Sequence, residues 1–211
     1  MSALFKDPNQ AYDYLRELNE ALFEPQTKGL NHIVLLDPRF QQVPASASKH
    51  HAFDGGLVVH TAENMKVVER NCWLLKDSTG GHLNWPVVYT ATLWHDYGKV
   101  WDYERNPHYM PAIPGDDRPD ERKEEQKHPW RNTPHRMKIR HVSRSYAEFM
   151  KAVSQFGLHT PEFIEAVGHC ILAHHGFLEW GSPVTPQTPE AWAVHLADMT
   201  SVRVFDRAIT T

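Results

Sequence analysis

Several histidine and aspartate residues of this chain occur where side chains normally pack into a core. The chain has 15 histidines among 211 residues. The pair His95-Asp96 ends an apolar stretch and is followed at once by Gly98 and Lys99. A buried imidazole or carboxylate needs a polar partner, and one shared metal ion can partner several of them. The pattern therefore indicates a metal centre.

Seven residues are candidate ligands, and they divide into two groups that share one carboxylate. The predicted groups are His60, His95, Asp96 and Asp198, and Asp96, His141, His174 and His175. Imidazole with carboxylate suits Mn, Fe, Co, Ni or Zn better than Mg or Ca, and we expect two ions, most readily Mn²⁺. Ions about 3.5–4 Å apart can share a hydroxide for in-line displacement at phosphorus. Spacing alone does not decide whether His174, His175 or both are ligands.

The composition limits the classes of function. The net charge is −4, so no global basic field collects nucleic acid, and we expect no extended nucleic-acid surface. No basic-then-apolar leader and no apolar run of 18 residues occur, which predicts a cytoplasmic protein that does not span a membrane. Cys72 and Cys170 lie in apolar helical patterns and are expected to be reduced thiols. The oligomeric state stays open.

The candidate ligands must be positioned by helices, because apolar residues recur at helical spacing. We predict a single all-α domain over 1–211 with five to seven helices and no strand pair. Asp54 is the predicted N-cap of the second helix, and Gly98 is the predicted stop of the third. Thr160 and Thr188 are predicted N-caps. The predicted helices cover about 8–22, 55–76, 85–97, 136–155, 160–175 and 188–207.

Two segments are predicted to be less regular. Residues 1–43 are expected to hold the first helix and an irregular stretch that packs on the domain. Residues 103–135 are polar and contain prolines, and they are expected to form a long loop that is either a functional lid or disordered.

The ordered set His60, His95-Asp96 and Asp198 resembles the H…HD…D signature of HD-domain metal-dependent phosphohydrolases. Longer segments resemble the HD catalytic domain of bacterial 3′→5′ exoribonucleases. These segments are PASASKHHAFDGGLVVHT (44–61), WHDYGK (94–99), HVSRS (141–145) and ILAHHGFLEWGSPVTPQTPEAWAVHLAD (171–198). The resemblance implies an HD-type helical bundle. It also implies two-metal hydrolysis of phosphate esters, in nucleotides or at the 3′ end of short single-stranded nucleic acid.

The same resemblance implies roles for further residues. Asp96 and Lys99 would be catalytic, with Lys99 contacting the scissile phosphate; otherwise Lys99 is a cation at a helix C-terminus. The predicted substrate-binding residues are Lys49, His51, Arg140, Arg144 and Ser182. His51 is expected to be a substrate contact or a donor behind the site, and the two arginines bind phosphate or face solvent. The aromatic residues Tyr97, Trp130 and Trp180 stack on bases or belong to the core.

Two departures from the family and three alternatives remain. Residues 103–135 form a longer stretch than the family leads one to expect, so the mouth of the substrate site is expected to differ. The family has an OB-type nucleic-acid domain before the HD domain, and none is expected here, which would remove an extended grip on RNA. The first alternative is a nucleotide or deoxynucleoside triphosphate phosphohydrolase. The second is a di-iron oxygenase of the HD fold, which the same ligands would serve. The third is a non-catalytic nucleotide-binding module.

Overall fold

The computed structural model describes residues 4–5, 7–113, 115, 120–157 and 159–205. It is predominantly helical, which confirms the all-α prediction. Within the described residues the α-helices are α1 (Pro8–Leu22), α2 (Pro25–Leu35), α3 (Gly56–Thr79), α4 (Trp85–Trp94), α5 (Pro134–Lys138), α6 (His141–Phe156), α7 (Pro161–Ala173) and α8 (Pro189–Thr200).

Helix α4 is the centre of the bundle, as its continuous apolar sequence predicts. Its residues from Val87 to Trp94 are all buried, and it contacts α2, α3, α6, α7 and α8. The Trp94 ring meets the Phe149 ring of α6 edge-on, with 5.7 Å between ring centroids. The end of α4 is therefore held at the middle of the molecule, and this is where His95-Asp96 lies.

The predicted N-caps of α7 and α8 are confirmed, because the Thr160 and Thr188 side chains accept hydrogen bonds from backbone N–H groups of the first turn. The prediction that Asp54 is the N-cap of the next helix is wrong. Helix α3 begins after Gly55, whose φ is 77°, and a Cβ on Gly56 would lie 2.0 Å from the His51 carbonyl oxygen. The close approach of that loop sets where the helix begins.

The described part of the chain contains eight α-helices, which exceeds the predicted five to seven for two reasons. The stretch after α1, expected to be irregular, contains α2, whose Leu30 and Val34 are buried although Gly29 weakens the helical pattern. The predicted helix 136–155 is two helices, because Ile139 has an extended backbone and Arg140 is the N-cap of α6. Packing of α2 against α4 and α6 overrides the local pattern in the first case.

The prediction of no strand pair is wrong. Strands β1 (Tyr103–Arg105) and β2 (Trp130–Asn132) pair antiparallel, with Glu104 opposite Arg131. The Asp54 carboxylate fastens this pair to the bundle, since it accepts hydrogen bonds from Arg105 and from the Trp130 ring. The ends of segment 103–135 are therefore docked, and a 3₁₀ helix spans Glu124–Gln126. Residues 114 and 116–119 of that segment lie outside the described residues.

Two predicted helix ends also differ. Helix α4 ends at Trp94, and Gly98 lies inside a 3₁₀ helix, Tyr97–Trp101, instead of stopping an α-helix. Helix α8 ends at Thr200 and continues as a π-helix, Ser201–Phe205, while 206–211 lie outside the described residues. Cys72 and Cys170 are free thiols. Among the described helices, none combines the length and apolar composition that a membrane span requires.

Candidate metal centre

Asp96 lies just beyond the end of α4, and side chains from other helices converge on its carboxylate. The His60 Nε2 atom, from α3, lies 3.2 Å from Asp96 Oδ2 and 3.1 Å from Asp198 Oδ1, on α8. The His95 Nε2 atom lies 3.4 Å from Asp96 Oδ2. All four residues are buried. The first predicted ligand group therefore lies together, with its candidate ligand atoms within 4.8 Å of one another.

The second predicted group surrounds the other oxygen of the same carboxylate. His141 Nε2, at the start of α6, lies 3.3 Å from Asp96 Oδ1, and His174 Nε2, at the end of α7, lies 3.7 Å from it. His175 Nε2 lies 3.2 Å from His141 Nε2. These atoms are also within 4.8 Å of one another. Both His174 and His175 reach the centre, a point that spacing alone left open.

In three of these histidines, a hydrogen bond made by Nδ1 determines that Nε2 faces the centre. The Nδ1–H groups of His95, His174 and His175 donate to the carbonyls of Thr92, Ile171 and Trp180, each at 2.7 Å. A carbonyl can only accept, so Nδ1 carries the hydrogen, and Nε2 of the neutral ring keeps a free lone pair. This arrangement is characteristic of histidines that bind metals.

Two buried atoms at the centre have no hydrogen-bond partner among the described residues, namely Asp96 Oδ1 and His174 Nε2. An unpaired buried polar atom is costly. The His141 and His175 Nε2 atoms also face each other, although the His175 atom carries no hydrogen in the neutral ring. A cation among these atoms would partner all of them at once, and the imidazole–carboxylate set fits a divalent transition metal.

The electrostatics of the centre favour ionised carboxylates, neutral imidazoles at His141 and His174, and a protonated imidazole at His60. Burial lowers the pKa of His141 and His174 well below the usual range. Burial opposes ionisation of Asp96, but the positive charge of Lys99 together with the interactions of His95 and His60 keeps the pKa of that carboxyl well below its usual range. Burial opposes charge on His60, yet hydrogen bonds to Asp198 and Asp96 raise its pKa to about 9. A proton thus occupies the place between two carboxylates where a cation fits.

Lys99 is buried in the 3₁₀ helix Tyr97–Trp101, and its Nζ lies 2.5 Å from Asp96 Oδ2. Burial opposes its charge, but Asp96, Tyr103 and Asp198 together more than compensate and raise the pKa of the ammonium group. Lys99 also lines a cavity of about 600 Å³. It therefore carries a positive charge at the boundary between the carboxylate centre and open space.

The predicted substrate-binding residues are placed unequally around the centre. Lys49 lines the 600 Å³ cavity and an adjacent one of about 380 Å³, and Arg140 lines a third of about 300 Å³. Arg144 lines none of these three; it pairs with Glu148 and covers the Trp101 ring. Ser182 is buried beside Gly181, which lines the third cavity.

His51 takes the second of its two predicted roles. It is buried and lines none of the three cavities, and its Nε2–H donates to Glu63 Oε2 at 3.0 Å. Its neighbour His50 lines two cavities instead, and burial lowers the pKa of His50 to about 2. The backbone of His51 has a φ of 48°, and its ring meets that of His50 edge-on, with 5.7 Å between ring centroids. The sequence drew attention to the adjacent histidines His50 and His51, but it did not predict the left-handed backbone at His51.

Several residues at the site were not predicted. Arg136 and Arg203 line the cavities. Asp102 accepts from Arg136 at 3.0 Å and lies 3.5 Å from His141 Nδ1. Glu63 is three residues beyond His60 and is buried in α3. A carboxylate within that apolar helical pattern was the sequence feature that could have identified it.

Comparison with known proteins gives distant relatives. No protein-family model and no solved structure matches the chain. A protein named 3′-5′ exoribonuclease YhaM from Geobacillus sp. (strain WCH70) is 24% identical over 209 residues, which is 96% of this chain and 56% of that protein. The proteins of the same name from Shouchella clausii and Bacillus subtilis are 26% and 23% identical over 93% and 91% of this chain. These alignments cover 56% and 55% of those proteins.

The chain therefore spans about half the length of the curated relatives it matches. In agreement with the resemblance of its motifs to HD-domain phosphohydrolases, the chain is a distant homologue of the proteins named 3′-5′ exoribonuclease YhaM.

Proposed function

We propose that the chain is a metal-dependent phosphodiesterase that removes nucleotides from the 3′ end of short single-stranded RNA. The observation that carries this proposal is the single carboxylate of Asp96 shared by two four-residue groups of candidate ligands, all buried except the half-buried His175. The names of the distant relatives support the nucleic-acid substrate and the 3′→5′ direction. The chemistry of the donor atoms supports Mn²⁺ or another divalent transition metal.

The ligands have a common task in this proposal. His60, His95 and Asp198 would hold one ion, the three histidines of the second group would hold another, and Asp96 would bridge them. When bound, two divalent ions activate water and neutralise charge on the phosphoryl group. The hydrogen bonds from the Nδ1 atoms keep each ring oriented, so the protein would lose little conformational entropy on metal binding.

The residues beside the ligands bind and orient the phosphodiester. Lys99 would neutralise charge that develops on the non-bridging oxygens, which is the kind of electrostatic contribution that matters most in such reactions. Lys49, Arg136 and Arg203 surround the cavities and would hold neighbouring phosphates. Neutral His50 faces the same space and can donate or accept a hydrogen bond there. The cationic groups are local, in keeping with a net charge of −4.

The deciding experiment is an activity screen of the purified chain with Mn²⁺. The substrates are RNA and DNA strands labelled at the 5′ end, bis(p-nitrophenyl) phosphate, cyclic nucleotides, and nucleoside mono- and triphosphates. The proposal predicts a ladder of 5′-labelled RNA products shortened from the 3′ end, and hydrolysis of bis(p-nitrophenyl) phosphate. The variant Asp96→Ala serves as the blank.

Other outcomes assign the protein differently. Release of phosphate or triphosphate from nucleotides, with intact RNA, would indicate a nucleotide phosphohydrolase. A mixed-valent di-iron signal in electron paramagnetic resonance, without phosphodiesterase activity, would indicate an oxygenase. Nucleotide binding without turnover in the presence of any metal ion would indicate a non-catalytic nucleotide-binding module.

A further inference from the structure

Three exposed aromatic rings lie beside the metal centre and surround one buried imidazole. Phe177, Trp180 and Trp192 are 44%, 49% and 45% exposed, whereas His195 is buried. Their ring centroids lie 6.2, 6.5 and 5.7 Å from that of His195. We call Phe177, Trp180 and Trp192 the aromatic patch. Apolar surface left in water is unfavourable, and contiguous exposed rings commonly mark a binding site.

The aromatic patch is continuous with the cavity at the centre. Trp180 lines the 600 Å³ cavity together with Lys99 and Asp198. Its ring meets Phe177 edge-on at 5.0 Å, which extends the aromatic surface away from the cavity. A molecule that lies in the cavity therefore reaches the patch without crossing another element.

The patch is also fastened to candidate metal ligands. The Trp180 carbonyl accepts a hydrogen bond from His175 Nδ1–H at 2.7 Å, and His195 Nδ1–H donates to the His174 carbonyl at 2.8 Å. Gly176, with a φ of 83°, packs so closely on the His195 ring that an added Cβ would lie 2.3 Å from it. The position of the rings relative to the centre is therefore fixed.

The charges nearby identify the ligand chemistry. Lys49 and Arg203 line the cavity that Trp180 also lines, so cationic groups and exposed rings share one entrance. Single-stranded nucleic acid is bound by this combination, with phosphates on cations and bases stacked on rings. A protein partner needs about 20–30 residues a side for a standard interface, whereas three rings beside a polar cavity match the dimensions of one or two bases.

We infer that the aromatic patch stacks nucleobases of a single strand whose terminal phosphodiester occupies the metal centre. The inference rests on the proposed function and assigns it a base-binding surface. Of the three aromatic residues that the sequence offered for stacking, the inference retains Trp180. Tyr97 and Trp130 are buried. Tyr97 donates a hydrogen bond to Asp37, and Trp130 donates one to Asp54. Phe177 and Trp192 join Trp180.

The test compares two strands that differ only in their bases. A short oligoribonucleotide and an abasic strand with the same number of phosphates carry a fluorophore at the 5′ end. Their affinities for the full chain are measured by fluorescence anisotropy with metal chelated, so that nothing is hydrolysed. Variants Trp180→Ala and Trp192→Ala are compared with Trp73→Ala, which removes an exposed tryptophan at a separate cavity.

Stacking predicts that the wild type binds the base-containing strand more tightly than the abasic strand. Each of the two patch variants is expected to weaken binding of the base-containing strand by about 5- to 150-fold and to leave the abasic strand unaffected. Trp73→Ala should change neither affinity. Trp192→Phe should restore most of the loss, since it keeps a ring, and its melting temperature checks that the fold is intact.

Two results would overturn the inference. Equal affinity of the wild type for both strands would mean that the strands are bound through their charge alone and that the bases contribute nothing. A change from dimer to monomer in Trp192→Ala, measured by light scattering, would assign the patch to a second copy of the chain. Hydrolysis without base discrimination would refute only the patch, and base discrimination without hydrolysis in any metal would refute only the proposed function.

Discussion

Ser201 Oγ lies 3.0 Å from His60 Nδ1, although the two residues are 141 positions apart in the chain. The Ser201 hydroxyl donates to Glu63 Oε2 at 2.7 Å, so it accepts from His60 Nδ1–H. Glu63 Oε2 also accepts from His51. This buried chain of hydrogen bonds directs the His60 Nε2 atom at Asp96 and Asp198.

Substitution Ser201→Ala is therefore expected to weaken Mn²⁺ binding by about 10- to 100-fold, which is the usual cost of removing the partner that orients a ligating histidine. Calorimetric titration of the metal-free protein gives the affinity. Ser154→Ala is the matched control, since Ser154 is exposed and its hydroxyl bonds only within its own helix. An unchanged affinity in Ser201→Ala would mean that His60 is not a ligand.

The shared carboxylate makes a prediction about stoichiometry. Asp96 belongs to both ligand groups, whereas Asp198 belongs to one. After dialysis, elemental analysis should find two metal ions in the wild type, at most a trace in Asp96→Asn, and one in Asp198→Asn. Asp54→Asn removes a carboxylate from the surface and should retain both ions. Equal metal content in Asp96→Asn and the wild type would rule out the bridging role.

Lys99 should act on turnover and not on metal content. Replacing it with Gln removes a positive charge from the cavity wall, and the loss of one preorganised electrostatic contact typically lowers kcat by about 100- to 1000-fold. The rate is measured with bis(p-nitrophenyl) phosphate, together with bound metal. Lys151→Gln, at an exposed position, is the control. Should Lys99→Gln lose its metal instead, its role would be to stabilise the Asp96 carboxylate.

The ligand set was predictable from sequence because buried helices place their residues by a regular period. His60, His95 and Asp198 each occur where that period marks a core position, and a polar residue there requires a partner. Both predicted groups come together in space, although their identity as ligands is still a prediction. The all-α class follows from the same period.

The rest depended on contacts between distant segments. No local pattern pairs Ser201 with His60, because 141 residues separate them. His50 and His51 are adjacent, and a left-handed backbone at His51 decides which ring faces the cavity. The pairing of β1 with β2 depends on Asp54, which sequence reasoning placed at a helix N-cap. Tertiary contacts thus determined the surroundings of the site more than local propensity did.

Metal removal should lower thermal stability. A ligand that binds only the folded state at a hundred times its Kd stabilises it by about 2.7 kcal/mol, which in a chain of this size raises Tm by about 5–10 °C. Scanning calorimetry of the chelated protein, before and after addition of Mn²⁺, measures the difference. Mg²⁺ at the same concentration should have a smaller effect, because imidazole ligands suit it poorly. An unchanged Tm in Mn²⁺ would contradict a buried metal site.

Replacing Gly98 is expected both to lower the stability of the fold and to disturb the second group of candidate ligands. Its N–H donates to Ser145 Oγ at 2.8 Å, and an added Cβ would lie 2.3 Å from the His141 carbonyl oxygen. Gly98→Ala must push the start of α6 away from Asp96, at a cost of about 2–3 kcal/mol in the free energy of unfolding. The displaced His141 should also weaken the second ion more than the first.

Denaturant unfolding and metal titration of the same variant test both parts of this prediction. Gly80→Ala is the control, because its Cβ meets nothing within 4 Å and only the left-handed backbone, with a φ of 68°, is strained. It should cost about 1 kcal/mol and leave both ions bound. Gly98→Ala with wild-type stability and two tightly bound ions would show that α6 tolerates the displacement, and that the close approach at Gly98 does not position His141.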